Sequence, residues 1–252
     1  MLFLDYKISI LFARLKKSIT FAAITVISPS KFMNNDLLER ISSYLNGEED
    51  EGDRRNAEVA YWLYRSCTPG TPEYNRAELL SSKHKLISRE SIIAEDYALE
   101  HHLWFEDDGI LGMVGPSGDE NNCYFSPDGL TIYKVNILTH SGDRILPVFE
   151  KVLAHNSIFP ETRYDFVGFT NMGFARSAYP IFKQRMITSA VNAMPEEIAD
   201  FMKALGFHED KDCRKPAAWS NGTYTVWDLQ PKNVLKDKQD NIFVIDAEIM
   251  IR

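Results

Sequence analysis

A chain of 252 residues with 44% hydrophobic content can bury a sizeable core, either as one two-lobed domain with an extension or as two small domains. Its 36 Asp and Glu against 28 Lys and Arg leave a net charge of -8, which argues against nucleic-acid binding through bulk charge. Cys67, Cys123 and Cys213 are odd in number and lack paired spacing, and no Cys or His cluster surrounds His101 and His102, so neither a disulfide framework nor a zinc site is indicated.

Residues 1–30 are apolar with a few basic side chains, and the longest uncharged run, Ser18 to Ser30, is shorter than the roughly 20 residues a membrane span needs. Four readings stand for this segment: a secretory signal, against which Asp5 and the missing Ala-x-Ala site weigh; an amphipathic membrane-surface contact; a packed segment; or a start placed too early. Residues 31–105 read as a helical extension. Asn35–Asn46 is a capped amphipathic helix on Leu37, Leu38, Ile41, Tyr44 and Leu45, closed by Gly47. The acidic run Glu48–Asp53 reads as a solvated linker, Arg54–Ser66 as a second helix, Thr68–Pro72 as a break, and Ser91–Leu103 as a further helix.

From residue 106 the pattern changes to strand, glycine turn, strand, turn, strand. Gly112, Gly115 and Gly118 precede Asn122–Phe125, then the turn Ser126–Gly129, then Leu130–Asn136 with Lys134 inside an apolar strand. An ammonium there needs an anionic partner, which ATP phosphates would supply, unless it is an edge-strand lysine reaching to water. The helix Asp143–Asn156 follows, with Leu146, Phe149, Val152 and Leu153 on one face. Glu150 lies off that face, either toward solvent or turned to Lys134. Arg163–Phe169 and Tyr179–Gln184 read as the next strands, and Gln184–Ile187 as a hinge offering backbone groups to adenine. Pro195–Gly206 has the marks of a scaffold helix: Pro first, acids in the first turn and a terminal Gly. Asn221-Gly222 makes a hairpin turn whose second arm runs into Asp228.

The tail carries the most specific pattern. Asp228, Asn233 five residues later, and Asp246 at the end of the apolar run Ile242–Ile245 match what phosphoryl transfer requires: a carboxylate at the attacking hydroxyl and oxygen ligands for Mg²⁺. In this reading Asp228 accepts the hydroxyl proton, while Asn233 and Asp246 hold the metal. A hairpin of Val234-Leu235 with Ile242–Ile245 would return Asp246 to Asn233. The alternative is a surface hairpin with ordinary turn carboxylates.

Between Gly112 and Ile251 the chain resembles the serine/threonine/tyrosine-type kinase domain of bacterial and phage polyvalent proteins. The resemblance is carried by Asp128-Gly129, Tyr133-Lys134, Leu153–Thr162, Val167–Thr170, Lys183-Gln184, Leu205–Phe207 and Asp228 through Asp246. It implies an α+β, two-lobed protein-kinase-like fold with a minimal C-lobe and a helical N-terminal extension. The N-lobe would be about 106–184 and the C-lobe about 185–252. It also implies ATP and Mg as cofactors. Lys134, Glu150 and Asp228 would be catalytic; Gly112, Gly115, Gly118, Lys134, Gln184 and Met186 would hold the nucleotide; Asn233 and Asp246 would hold the metal. The acceptor would be a hydroxyl of a protein or, in an antibiotic-kinase-like alternative, of a small molecule. A pseudokinase or interaction module of a mobile-element protein is the non-enzyme alternative, and use of ATP implies the cytoplasm. The chain departs from the wider protein-kinase pattern at Val226-Trp227, where a His-Arg pair would stand, and at Ala247-Glu248, where Phe-Gly would stand. No Ala-Pro-Glu block follows within this sequence, so control by activation-loop phosphorylation is not expected.

Overall fold

The computed structural model describes residues 35–46, 50–81, 88–173 and 177–252. The apolar segment 1–30, with the readings attached to it, lies outside the described residues. Four helices come first: α1 (Asn35–Asn46), α2 (Glu51–Ser66), α3 (Pro72–Ser81) and α4 (Arg89–Glu100). None of the described helices is long and apolar enough to cross a membrane.

Helix α2 begins inside the acidic run expected to be a linker. The Asp50 side chain caps it by accepting from the Gly52 N–H at 2.8 Å, and Glu51 and Asp53 lie in its first turn, where the positive end of the helix dipole favours carboxylates. Helix α3 has little sequence signature, since Ala77 is its one buried residue. Pro72, read as part of a break, instead occupies its first position, where the missing N–H costs nothing, and Thr71 Oγ1 accepts from the Tyr74 N–H.

The remaining elements are β1 (Trp104–Phe105), β2 (Met113–Val114), β3 (Asn121–Phe125), β4 (Thr131–Asn136), helix α5 (Leu146–Ile158), β5 (Asp165–Thr170), β6 (Tyr179–Arg185) and β7 (Val191–Asn192). Helix α6 (Pro195–Ala204) follows, then β8 (His208–Glu209), β9 (Trp219–Ser220), β10 (Tyr224–Trp227), β11 (Val234–Lys236), β12 (Ile242–Val244) and β13 (Glu248–Ile251). The architecture is α+β and two-lobed, as the resemblance implied. A six-stranded sheet of order β1-β5-β6-β4-β3-β2 forms the first lobe, and sheets β13-β10-β9-β8 and β12-β11-β7 belong to the second.

Period-two alternation splits the large sheet into two faces. Lys134 of β4 is opposed by Cys123 and Phe182, and Phe182 packs edge-on against Phe149 of α5 at 5.2 Å. Val135 and Ile181 belong to a separate cluster with Leu111 and Tyr124. In the second lobe Ile198 and Met202 of α6 share a core with Trp219, Val226, Val234, Val244 and Ile249, and Ala154 and Phe159 join it from the end of α5. Gly206 follows the end of helix α6, and its φ of 82° suits the left-handed position after a helix; the Phe207 N–H then closes back on the Met202 carbonyl.

Residues 36–252 form one compact unit, because the early helices clamp α5 at both ends. At its C-terminal end Asn156 Nδ2 donates to Asp53 at 2.6 Å, and Tyr44 and Ser157 share a hydroxyl bond of 2.8 Å. Asn56 donates to the Tyr164 carbonyl and accepts from the Phe166 N–H. Arg163 pairs with Asp50, Asp53 and Asp165, each at 3.0 Å. At the N-terminal end of α5 the buried Glu90 accepts from the N–H groups of Ile145 and Leu146 and pairs with Arg144 at 2.6 Å. That carboxylate satisfies donors the helix cannot satisfy itself. Glu90→Ala is therefore expected to lower unfolding free energy by roughly 3 kcal/mol, since it strips the partner from a buried charged network. A urea titration checks this, and an unchanged midpoint would remove the capping role.

Candidate active site

The tail loop is built around Asn233. Asp228 leaves β10 with φ of 60°, a left-handed conformation that Asp tolerates better than most residues. Its Oδ1 accepts from Gln230 Nε2 at 2.6 Å and its Oδ2 from Asn233 Nδ2 at 3.0 Å, while the same Nδ2 donates to the Asp228 carbonyl at 2.9 Å. Pro231 opens a single 3-10 turn that ends at Asn233. Strands β11 and β12 then pair with Val234 opposite Val244, so the Asn233 carbonyl accepts from the N–H of Ile245 at 2.9 Å and of Asp246 at 3.4 Å. One residue thus holds Asp228 by its side chain and the Asp246 segment by its main chain.

Lys134 arrives from the other lobe. Only 6% exposed, its Nζ donates to the Ile245 carbonyl at 2.8 Å and to Tyr164 Oη at 2.9 Å, and Tyr164 Oη donates to the same carbonyl at 2.8 Å. Burial lowers the Lys134 pKa, and the nearby Asp246 carboxylate opposes that shift. Burial also raises the Tyr164 phenol well above its ordinary value, so it stays a neutral donor. Among the described residues no side-chain hydrogen bond or ion pair engages the Asp246 carboxylate.

Glu150 does not meet Lys134. Burial raises its carboxyl pKa, and the charges that act on it are Arg144 and Glu90, at the N-terminal end of α5. The next residue along α5, rotated about 100° around the axis, faces the site instead. Lys151 Nζ donates to Glu120 Oε2 at 2.7 Å and to Glu248 Oε1 at 2.9 Å. Burial works against its charge, but Glu120, Glu248 and Asp246 outweigh it and raise its pKa. His140 Nδ1 lies 3.5 Å from the same Glu248 oxygen, and ligand atoms of Glu120, His140 and Glu248 all lie within 4.8 Å of one another. The sequence had marked Ala247-Glu248 only as a departure; the one signal for Lys151 was its adjacency to Glu150.

The glycine hairpin takes its shape from Phe125. Gly112, at φ of 124°, leaves no room for a Cβ against the Phe125 carbonyl oxygen, and a Cβ on Gly115 would lie 2.7 Å from the Phe125 ring. Gly118 stands at the turn, its N–H donating to the Asn121 carbonyl, with open space where a Cβ would go. At the expected hinge, Gln184 is buried and its Nε2 donates to the Thr162 carbonyl, while the Met186 N–H donates to the Leu130 carbonyl at 2.9 Å. The Gln184 amide and the Met186 N–H therefore serve the fold, because strand pairing of β4 with β6 runs on past Arg185.

Beneath Lys134, His155 packs edge-on against Tyr164 with its Nε2 3.1 Å from the Thr162 carbonyl oxygen. Burial, with the Lys134 charge, pulls its pKa down to about 3. The unfolded chain takes up that proton near pH 6.5 and the folded chain does not until about pH 3, so protons favour unfolding throughout this window. Stability should fall by about 2 kcal/mol between pH 6.5 and 5 from this residue, and the loss should flatten in His155→Gln. Urea unfolding at the two pH values tests it; the same slope in both proteins would count against His155.

A family model described as "Serine/Threonine/Tyrosine Kinase found in polyvalent proteins" matches residues 88–252, which include α4 with Glu90, the glycine hairpin, Lys134 and the whole tail. No curated protein and no solved structure matches the chain.

Proposed function

Because this chain belongs to the serine/threonine/tyrosine kinase family found in polyvalent proteins, we propose that it is an ATP- and Mg-dependent phosphotransferase that moves the γ-phosphoryl group to a hydroxyl of a protein. The carrying observation is the convergence at Ile245: Lys134 binds its carbonyl and Asn233 its N–H, which sets Asp246 between a buried ammonium and the loop of Asp228. A Lys134 buried far from both Glu150 and Asp246 would have favoured a pseudokinase; it is apart from Glu150 but under the charge of Asp246.

The donor set suits the expected cofactor. Among the described residues the Asp246 carboxylate has no side-chain partner, and Asn233, with its Nδ2 committed to Asp228, has its Oδ1 to offer; both are hard oxygen donors of the kind Mg²⁺ takes. Bound Mg²⁺ would neutralise charge on the ATP phosphates. Lys134 would bind the α/β-phosphates, and the Gly115–Gly118 turn would cover them. Asp228, with both oxygens held by amide donors, would orient the acceptor hydroxyl and receive its proton. Use of ATP is in keeping with a cytoplasmic protein, and the family's occurrence in polyvalent proteins is in keeping with a mobile-element setting.

The experiment is transfer of label from ATP with Mg²⁺ or Mn²⁺ by the purified protein, alone and with generic protein and aminoglycoside acceptors. Label on protein that depends on Asp228 supports the proposal, and label on the aminoglycoside alone would move the acceptor to the small-molecule class. No incorporation, with no thermal shift on adding Mg-ATP, would replace the enzyme by a pseudokinase.

A further inference from the structure

Glu150, the helix carboxylate expected to orient Lys134, feels the charges of Arg144 and Glu90 rather than that of Lys134, yet the site has another charged link through the same helix. Lys151 is 17% exposed at its side chain and touches two carboxylates from different parts of the chain. Glu120 immediately precedes β3 and closes the glycine hairpin, where its main-chain carbonyl accepts from the Ile137 N–H and its Oε1 accepts from Asn136 Nδ2 at 3.2 Å. Glu248 opens β13, two residues beyond Asp246. The geometry points to Lys151 as a positioning residue that ties the Asp246 segment to the phosphate-covering hairpin, an inference that rests on the phosphotransferase reading above.

The segment from Ile245 to Glu248 is then held by two ammonium groups, Lys134 at the Ile245 carbonyl and Lys151 at the Glu248 carboxylate, with Asp246 between them. The polarity is the reverse of a helix carboxylate meeting a strand lysine: the helix supplies the cation, and the hairpin and metal strand supply the anions. Without Lys151, Glu120 and Glu248 would face each other within 4.8 Å, with His140 in the same cluster and the Asp246 charge also acting there. Like charges at that distance repel strongly in a half-buried setting, and the expected consequence is that hairpin and strand part. The spacing of Glu120, His140 and Glu248 would also suit a metal ion, but Lys151 already supplies positive charge to both carboxylates.

The test is titration of a fluorescent ATP analogue, with and without Mg²⁺, into wild-type protein and the variants Lys151→Met, Lys151→Arg and Glu248→Gln. A residue that positions a metal ligand typically changes metal affinity by roughly 10–100-fold. Lys151→Met is expected to weaken the Mg²⁺-dependent part of nucleotide binding by that factor and to leave Mg²⁺-free binding near wild type, a split that general loss of structure does not produce. Lys151→Arg should keep the wild-type Mg²⁺ dependence. Glu248→Gln, at a more exposed position, should shift it in the same direction as Lys151→Met and carries the test if that variant does not fold. A folded Lys151→Met, or Glu248→Gln in its place, with wild-type Mg²⁺ dependence would overturn the positioning role and leave the phosphotransferase reading standing. Wild-type protein without any Mg²⁺-dependent nucleotide binding would overturn both.

Discussion

Asp228→Asn should lower phosphoryl transfer by about 10²–10⁴-fold, the range for loss of a positioned general base, while leaving Mg-ATP affinity unchanged. Asparagine is the discriminating replacement because residue 228 sits at φ of 60°, which Asn adopts more readily than Ala. Its side-chain oxygen can still accept from Gln230 or Asn233, so the loop keeps its shape and only the proton acceptor is lost. Neither Lys134 nor Lys151 bonds to Asp228, and Asn233 keeps the residue-228 carbonyl and a side-chain oxygen as acceptors, so Mg-ATP binding is expected to stay near wild type. Single-turnover transfer and an equilibrium binding titration separate the two quantities. Equal loss of both would mean that Asp228 belongs to the nucleotide site rather than to the acceptor.

Asp246→Ala should have the opposite signature. Nucleotide binding should lose its Mg²⁺ dependence, with metal-supported affinity falling by more than about 100-fold, since even groups outside the metal's direct ligands cost 10–100-fold. The carboxylate is the largest of the charges that support the Lys134 ammonium, ahead of Cys123 and Glu120, and its loss leaves that buried ammonium hydrogen-bonded only to the neutral Tyr164 hydroxyl and Ile245 carbonyl. Metal-free ATP, itself an anion, should then bind as well as to wild type or better. A Mg²⁺ titration that superimposes on the wild-type curve would remove Asp246 from the metal site.

Much of the site could be read along the chain, and the reason is distance. The Asp228, Asn233 and Asp246 pattern spans one loop and one hairpin, where pairing of Val234 with Val244 follows from two short apolar strands around a polar turn. The Asn221-Gly222 turn and the Gly206 helix end are likewise decided by residues within a few positions. Misreadings near the N-terminus were also local: the acids at 50–53 could be linker or helix start, and Asp53 is buried because Asn156 and Arg163 meet it from far along the chain. Helix α3, with one buried residue, left almost no periodic trace.

What spacing could not decide is which side of α5 faces the chemistry. Glu150 and Lys151 are neighbours, about 100° apart on the helix, and either orientation suits a stripe of Leu146, Phe149, Val152 and Leu153. Glu90 from α4 at one end of the helix, and Asp53 and Tyr44 from α2 and α1 at the other, clamp the rotation. Local order alone determined the carboxylate and amide of the tail, the lysine in its strand and the glycine turn before it. Only the tertiary structure decided that Lys134 meets the Ile245 carbonyl and Tyr164, and that Lys151 meets Glu120 and Glu248. Those contacts join residues up to 111 positions apart, and their partners are chosen by packing rather than by any periodicity of the chain.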